Sequence, residues 1–142
     1  MCDKSDEIVR GFWLNLVEAT VFKTPDYSKG REFSIGHITE DEIHVSLKNK
    51  PIAILIKRAA FGDVVHYLGM KSYDRSHPCK IGSNNNPALA GPLCHAARVV
   101  NGNTRCINYI LPILASFGVV GIDGSRRPNT TWLTVSEAPP QS

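Results

Sequence analysis

No apolar run in this 142-residue sequence approaches the ~18 residues needed to cross a membrane, so no membrane partner is expected. The first residues, Met1-Cys-Asp-Lys-Ser-Asp-Glu7, are acidic and lack an apolar secretory stretch, and the expected compartment is the cytoplasm. Cysteines are few: Cys2, Cys79, Cys94 and Cys106, with no Cys-x-x-Cys pair. Such spacing gives no zinc or redox motif, and reduced, mostly buried thiols are expected. Cys79 and His77 could together hold a metal, but a loop histidine beside a small thiol explains them more simply.

Catalytic strings are missing too. The five histidines (His37, His44, His66, His77 and His95) form no His-x-x-x-His pair, and there is neither a Gly-x-Ser-x-Gly elbow nor a Walker loop. Glu40-Asp41-Glu42 is followed by no Glu-x-Lys string of a metal-dependent nuclease and reads as a turn. His37 and His44 fall on neighbouring expected strands, where a paired site is conceivable. No catalytic residue, metal or cofactor is assigned, and an enzyme acting alone is not expected. Internal repeats and low-complexity tracts are absent, and a hydrophobic fraction of 42% excludes disorder of the whole chain.

What is present is a mixed pattern. Ser5 to Phe22 reads as one helix, capped by Ser5, with Asp6 and Glu7 at its positive end and Val9, Trp13, Leu16 and Val17 on one face. That face suits a core or a homodimer formed through residues 5–22. Residues 24–30 read as a loop. Alternation over 32–38 puts Phe33, Ile35 and His37 on one strand face; Ile43, Val45 and Leu47 mark a second strand, and Ile52 to Ile56 a third. Helical spacing returns over 57–68, and Gly69 can end that helix.

After an irregular polar stretch over 71–86, Pro92 fits the first position of a helix over 92–100, with Leu93, Ala96, Ala97 and Val100 inward and Arg98 pointing away. Asn101-Gly-Asn103 makes a tight turn. Asn103 or Thr104 can cap a second helix running to Phe117, with Ile107, Ile110, Leu111 and Leu114 buried and Arg105, Asn108, Tyr109 and Pro112 opposite. Pro112 should kink it. Residues 119–122 and 130–135 then pair as a hairpin with a polar tip, Asp123-Gly-Ser-Arg-Arg-Pro-Asn129. The expected organisation is an α+β protein: residues 1–72 as helix, antiparallel meander and helix, residues 73–136 as a second lobe, and 137–142 as a disordered tail.

Charge separates the two halves. Residues 1–74 hold ten Lys/Arg against eleven Asp/Glu, whereas residues 75–132 hold six against Asp123 alone. The basic half is also the half with the helix–turn–helix–hairpin order, as a phosphate-binding surface requires. This order resembles the winged helix-turn-helix superfamily, over about half of the chain.

The resemblance implies double-stranded DNA as partner, with the helix at about 104–117 in the major groove and the basic wing at about 119–135 on the backbone. It implies Arg105 and Asn108 at base edges, and Lys80, Arg98, Tyr109, Arg126 and Arg127 near phosphates. Asn86, Asn103, Thr104 and Asn129 complete the expected DNA-binding set. It also implies a role in transcription regulation at the nucleoid. Winged helices act as protein-interaction modules too. The alternatives are an adaptor, the DNA-reading part of a larger nuclease, defence or recombination complex, or a pocket that binds modified nucleotides or bases.

Overall fold

The computed structural model describes residues 4–26, 30–48, 53–86, 88–126 and 128–134. Arg127 and the expected tail at 137–142 lie outside them, as does Cys2. The described residues form an α+β fold: four helices, a four-stranded antiparallel sheet and a smaller three-stranded one. No helix among them is long and apolar enough to cross a membrane.

Helix α1 spans Lys4–Trp13. It stops nine residues before the expected end. Residues 14–20 form a loop in which Ala19 takes a left-handed φ of 71° and its N–H donates to the Ile35 carbonyl. That bond turns the chain into β1, Val21–Lys23, which extends the sheet. Of the expected face, Val9 and Trp13 are buried while Val17 is 64% exposed; the Phe12 and Trp13 rings lie 6.0 and 5.3 Å from Phe61.

Strands β2 (Glu32–Ile38), β3 (Glu42–Leu47) and β4 (Ala53–Lys57) complete the meander in the order β1-β2-β3-β4. Phe33, Ile35, Ile43, Val45 and Ile56 bury its inner face, as alternation demands. His37 departs from that face. The register shifts between Ile35 and Ile38, so Ile38 opposes Ile43 while His37 turns outward, its ring 6.0 Å from that of His44.

Helix α2 (Arg58–Met70) follows β4 directly and buries Ala60, Phe61, Val64, Val65 and Leu68. A two-residue strand, β5 (Cys79–Lys80), then precedes α3 (Pro92–Arg98) and α4 (Ile107–Ser116). The hairpin β6 (Val120–Asp123) and β7 (Thr130–Leu133) ends the described chain, with β5 pairing β7 in the order β5-β7-β6. One hydrophobic core runs through both halves, from Phe33 and Val45 to Leu93, Ile110 and Leu114.

Two expectations about α3 and α4 are corrected. Arg98 is turned inward, 1% exposed, whereas Val100 is 40% exposed. Helix α4 begins at Ile107: Asn103 at φ 59° closes the preceding turn, the Thr104 N–H still donates to the Asn101 carbonyl, and Cys106 is the cap. Pro112 faces the core rather than solvent, and Tyr109 is buried with it. The β2 strand covers that side: the Phe33 ring meets Tyr109 edge to face at 5.1 Å.

Asn101 joins the halves. Its side-chain oxygen accepts from the Lys57 N–H at 2.8 Å, and its amide donates to the Leu55 carbonyl at 3.1 Å. The side chain thus occupies the outer edge of β4 as a neighbouring strand would. Asn101→Ala leaves both backbone groups unpaired at a part-buried edge, and stability should fall by about 2 kcal/mol, measured by urea denaturation.

Cys79, Cys94 and Cys106 are free and buried. Burial pushes the Cys106 thiol up to about 12, with Cys94 adding to the shift and the Arg98 guanidinium opposing it. The unfolded thiol ionises at an ordinary value, so above it the folded state holds the extra proton. The stabilisation is therefore complete below pH ~8.5–9 and is lost as pH rises towards 12. Urea midpoints taken across that window should fall with pH, and Cys106→Val should make the fall shallower.

Candidate functional site

The Thr24-Pro-Asp26 turn leaves β1, and the chain returns at Gly30. The Thr24 N–H donates to the Arg31 carbonyl at 3.0 Å and the Thr24 hydroxyl accepts from the Arg31 N–H at 2.9 Å, which closes the loop. Lys23 and Arg31 are thereby held at one end of the large sheet, beside Lys48 at the end of β3. Facing them are the start of α4, the segment after β5 and the hairpin tip. The space between is an open cleft of about 1090 Å³.

The C-terminal wall of the cleft rests on tight backbone packing. The Gly91 N–H donates to the Gly82 carbonyl at 2.9 Å, and Gly82 has φ +60°. A Cβ on Gly82 would lie 2.8 Å from the Gly91 Cα, so this crossing requires glycine for both conformation and space. The Ile81 N–H donates to the Asn129 carbonyl at 3.0 Å, placing Ser83 and Asn129 on the same wall. Arg105 and Asn108 enter from the start of α4, whose first turn holds no acidic residue and whose Cys106 makes no side-chain capping bond. Uncovered amides at that end favour negative charge.

Four cations line the cleft, Lys23, Arg31, Lys48 and Arg105, against Asp26 and Glu32. Lys48 pairs with Glu32 at 3.5 Å. Asp26 accepts from the Asn129 amide at 3.3 Å. Among the described residues no ion pair engages Lys23, Arg31 or Arg105. Among the described residues, three side-chain oxygens of lining residues are buried without a hydrogen-bond partner: Ser83 Oγ, Asn108 Oδ1 and Asn129 Oδ1. Each such oxygen costs about 1–3 kcal/mol while unpaired.

The structure brings Arg105, Asn108, Tyr109 and Asn129 of the expected set to this cleft. It leaves Lys80, Asn86, Asn103 and Thr104 exposed elsewhere. Asn86 spends its side chain on the Ala88 N–H at 3.0 Å. Arg98 is buried beneath the 84–85 segment, with its guanidinium donating to the Asn84 and Asn85 carbonyls and to Cys94 Sγ at 3.1 Å, so it touches no external phosphate. Arg126 stands exposed on the hairpin tip. There the Ser125 hydroxyl and amide, with the Arg126 charge a smaller cause, hold the Asp123 carboxyl below its usual range.

Lys23, Arg31, Lys48 and Ser83 are absent from the expected set. The signal available was faint: a turn-rich loop flanked by cations, and a serine next to a Gly in a polar run. Neither says that the loop folds against α4. His77, considered earlier with Cys79, instead stacks on Tyr73 at 5.3 Å, and no group of three or more His, Cys, Asp or Glu among the described residues is arranged to hold a metal. No protein-family model, curated protein or solved structure matches the chain.

Proposed function

We propose that this protein binds double-stranded DNA, chiefly through phosphate contacts from the cations of the cleft and the hairpin tip. The observation that carries the reading is the convergence of Lys23, Arg31 and Arg105, none in an ion pair among the described residues, on one open cleft. Unneutralised cations at that density form a favourable site for a polyanion. The chain order from α2 through β5, α3 and α4 to the hairpin, with β5 beside β7, supports the same reading, since it is an order that winged helices use.

The mode of contact differs from the sequence expectation. A recognition helix must present a free face to the major groove, but residues 109–114 of α4 are buried. Only Arg105 and Asn108, near its start, are within reach of a ligand. The duplex therefore lies across the mouth of the cleft, with α4 beneath it and Arg126 to one side.

Fluorescence anisotropy with a random duplex tests this directly. Four phosphate contacts, from Lys23, Arg31, Arg105 and Arg126, give a slope of about −3 to −4 in log K against log salt between about 50 and 200 mM. Absence of binding at the low end would reject the proposal. The adaptor reading rests on a separate surface: Leu14 and Val17 are 88% and 64% exposed beside Trp13 and Ile38. A protein partner docked there would bind with little salt dependence.

A further inference from the structure

Resting on that reading of the cleft, we propose that its floor receives one unstacked nucleotide, so that the protein favours DNA with a base free to leave the stack. A space of about 1090 Å³ has the size of a small-molecule site and is far too small to admit a double helix. Its chemistry is graded. Lys23, Arg31 and Lys48 sit towards the large sheet and Arg105 at the start of α4, whereas Ser83, Asn108 and Asn129 line the wall beside Arg105 with Tyr109. A phosphate matches the first part. The second matches a flat group that carries N–H donors.

The donor requirement follows from the three unpartnered oxygens. Asn129 fixes its own polarity, because its amide nitrogen donates to Asp26 and its Oδ1 therefore remains an acceptor. Exchanging the two atoms would set oxygen against a carboxylate. Asn108 Oδ1 is a second acceptor, and Ser83 Oγ can accept or donate. The edge of a nucleobase seated against these lining residues supplies the ring and exocyclic N–H groups that such oxygens lack. Neighbouring contacts hold the wall in shape: Tyr109 is braced by Phe33, and the Gly82–Gly91 crossing fixes the backbone next to Ser83. A fixed, polar, acceptor-rich floor beneath a cationic rim distinguishes a nucleotide from bare phosphate, which would leave the two amide oxygens unpaired.

Extruding a base from a paired duplex costs a few kcal/mol, least for a mismatched or already single-stranded base. Three labelled probes of one sequence separate the cases: a perfect duplex, the same duplex with one central mismatch, and the single strand. The intact chain should bind the mismatched duplex and the single strand about tenfold more tightly than the perfect duplex. Asn129→Ala and Ser83→Ala should erase that preference, bringing the three probes to one affinity. Asn108→Ala gives a third reading of the same wall, with circular dichroism confirming the fold of each variant. A 2-aminopurine at the mismatch should brighten on binding to the wild type and stay dim with Asn129→Ala. Equal affinity for all three probes, or a preference that survives both Asn129→Ala and Ser83→Ala, would overturn the inference and leave duplex binding standing. Binding to none of the probes at low salt would overturn both.

Discussion

Arg98→Ala should lower the stability of the folded chain by about 4 kcal/mol, which is close to the loss expected for deleting the largest core side chains. Arg98 ranks first by volume among the fully buried side chains. Its fork ties three acceptors: the carbonyls of Asn84 and Asn85, and Cys94 Sγ on its own helix. Alanine removes the bonds and leaves a void between α3 and the polar segment above it. Lysine is a poor substitute, since one ammonium cannot reproduce a planar fork. Nε has no partner, so the buried guanidinium is not fully satisfied and the net gain is smaller than its bonds alone suggest.

For a protein of this size a loss of 4 kcal/mol corresponds to a drop in Tm of about 8–16 °C. Calorimetry of the wild type, Arg98→Ala and Arg98→Met separates the two contributions. Methionine retains much of the volume without the fork, and should recover only part of the loss. A Tm for Arg98→Ala within about 2 °C of the wild type would show that the buried guanidinium adds nothing net.

The second large effect falls on binding. The double variant Arg31→Ala/Arg105→Ala removes two cleft cations that no ion pair occupies, one from each half of the chain. Each phosphate contact contributes about 0.9 to the salt slope and about fivefold in affinity at physiological salt, relative to a reference near 1 M where the contribution vanishes. The pair should therefore weaken duplex binding about thirtyfold and flatten the slope by about 2. Arg75→Ala/Lys80→Ala, a change of equal charge outside the cleft, should leave affinity within about threefold. Equal losses in the two double variants would mean that net charge alone governs binding.

Much of the fold was legible because it rests on local periodicity. Alternation located β2 and β3, a nearly continuous apolar run located the greater part of β4, and the Pro92 signal located the start of α3. The elements that escaped were short or set by distant contacts. Strands β1 and β5 have three and two residues, too few to show a period. The end of α1 depends on Ala19 bonding to Ile35, a partner sixteen positions away. His37 follows the alternation of its strand in sequence and leaves it in space, because a bulge is invisible to a period-two count.

The site was partly legible for the same reason. Arg105, Asn108, Tyr109 and Asn129 were expected at a binding surface, and they line one cleft. Their setting was not readable. The spacing of α4 identifies its most apolar face, but not that a strand from the other half will cover the opposite one. Once Phe33 packs on Tyr109, the helix becomes a cleft wall instead of a free surface. Arg98 illustrates the limit most sharply: an arginine at the end of a short helix reads as solvent-facing unless the carbonyls of a loop thirteen and fourteen residues earlier are known to meet it.

Backbone amide shift mapping with a short duplex tests the central claim most directly, since a chain of 15.6 kDa suits solution NMR. The account predicts that the largest changes fall on Lys23, Arg31, Ser83, Arg105, Asn108 and Asn129, with Arg126 at the margin and Leu14 and Val17 unmoved. Changes confined to Leu14, Val17 and their neighbours, or no changes at low salt, would contradict it.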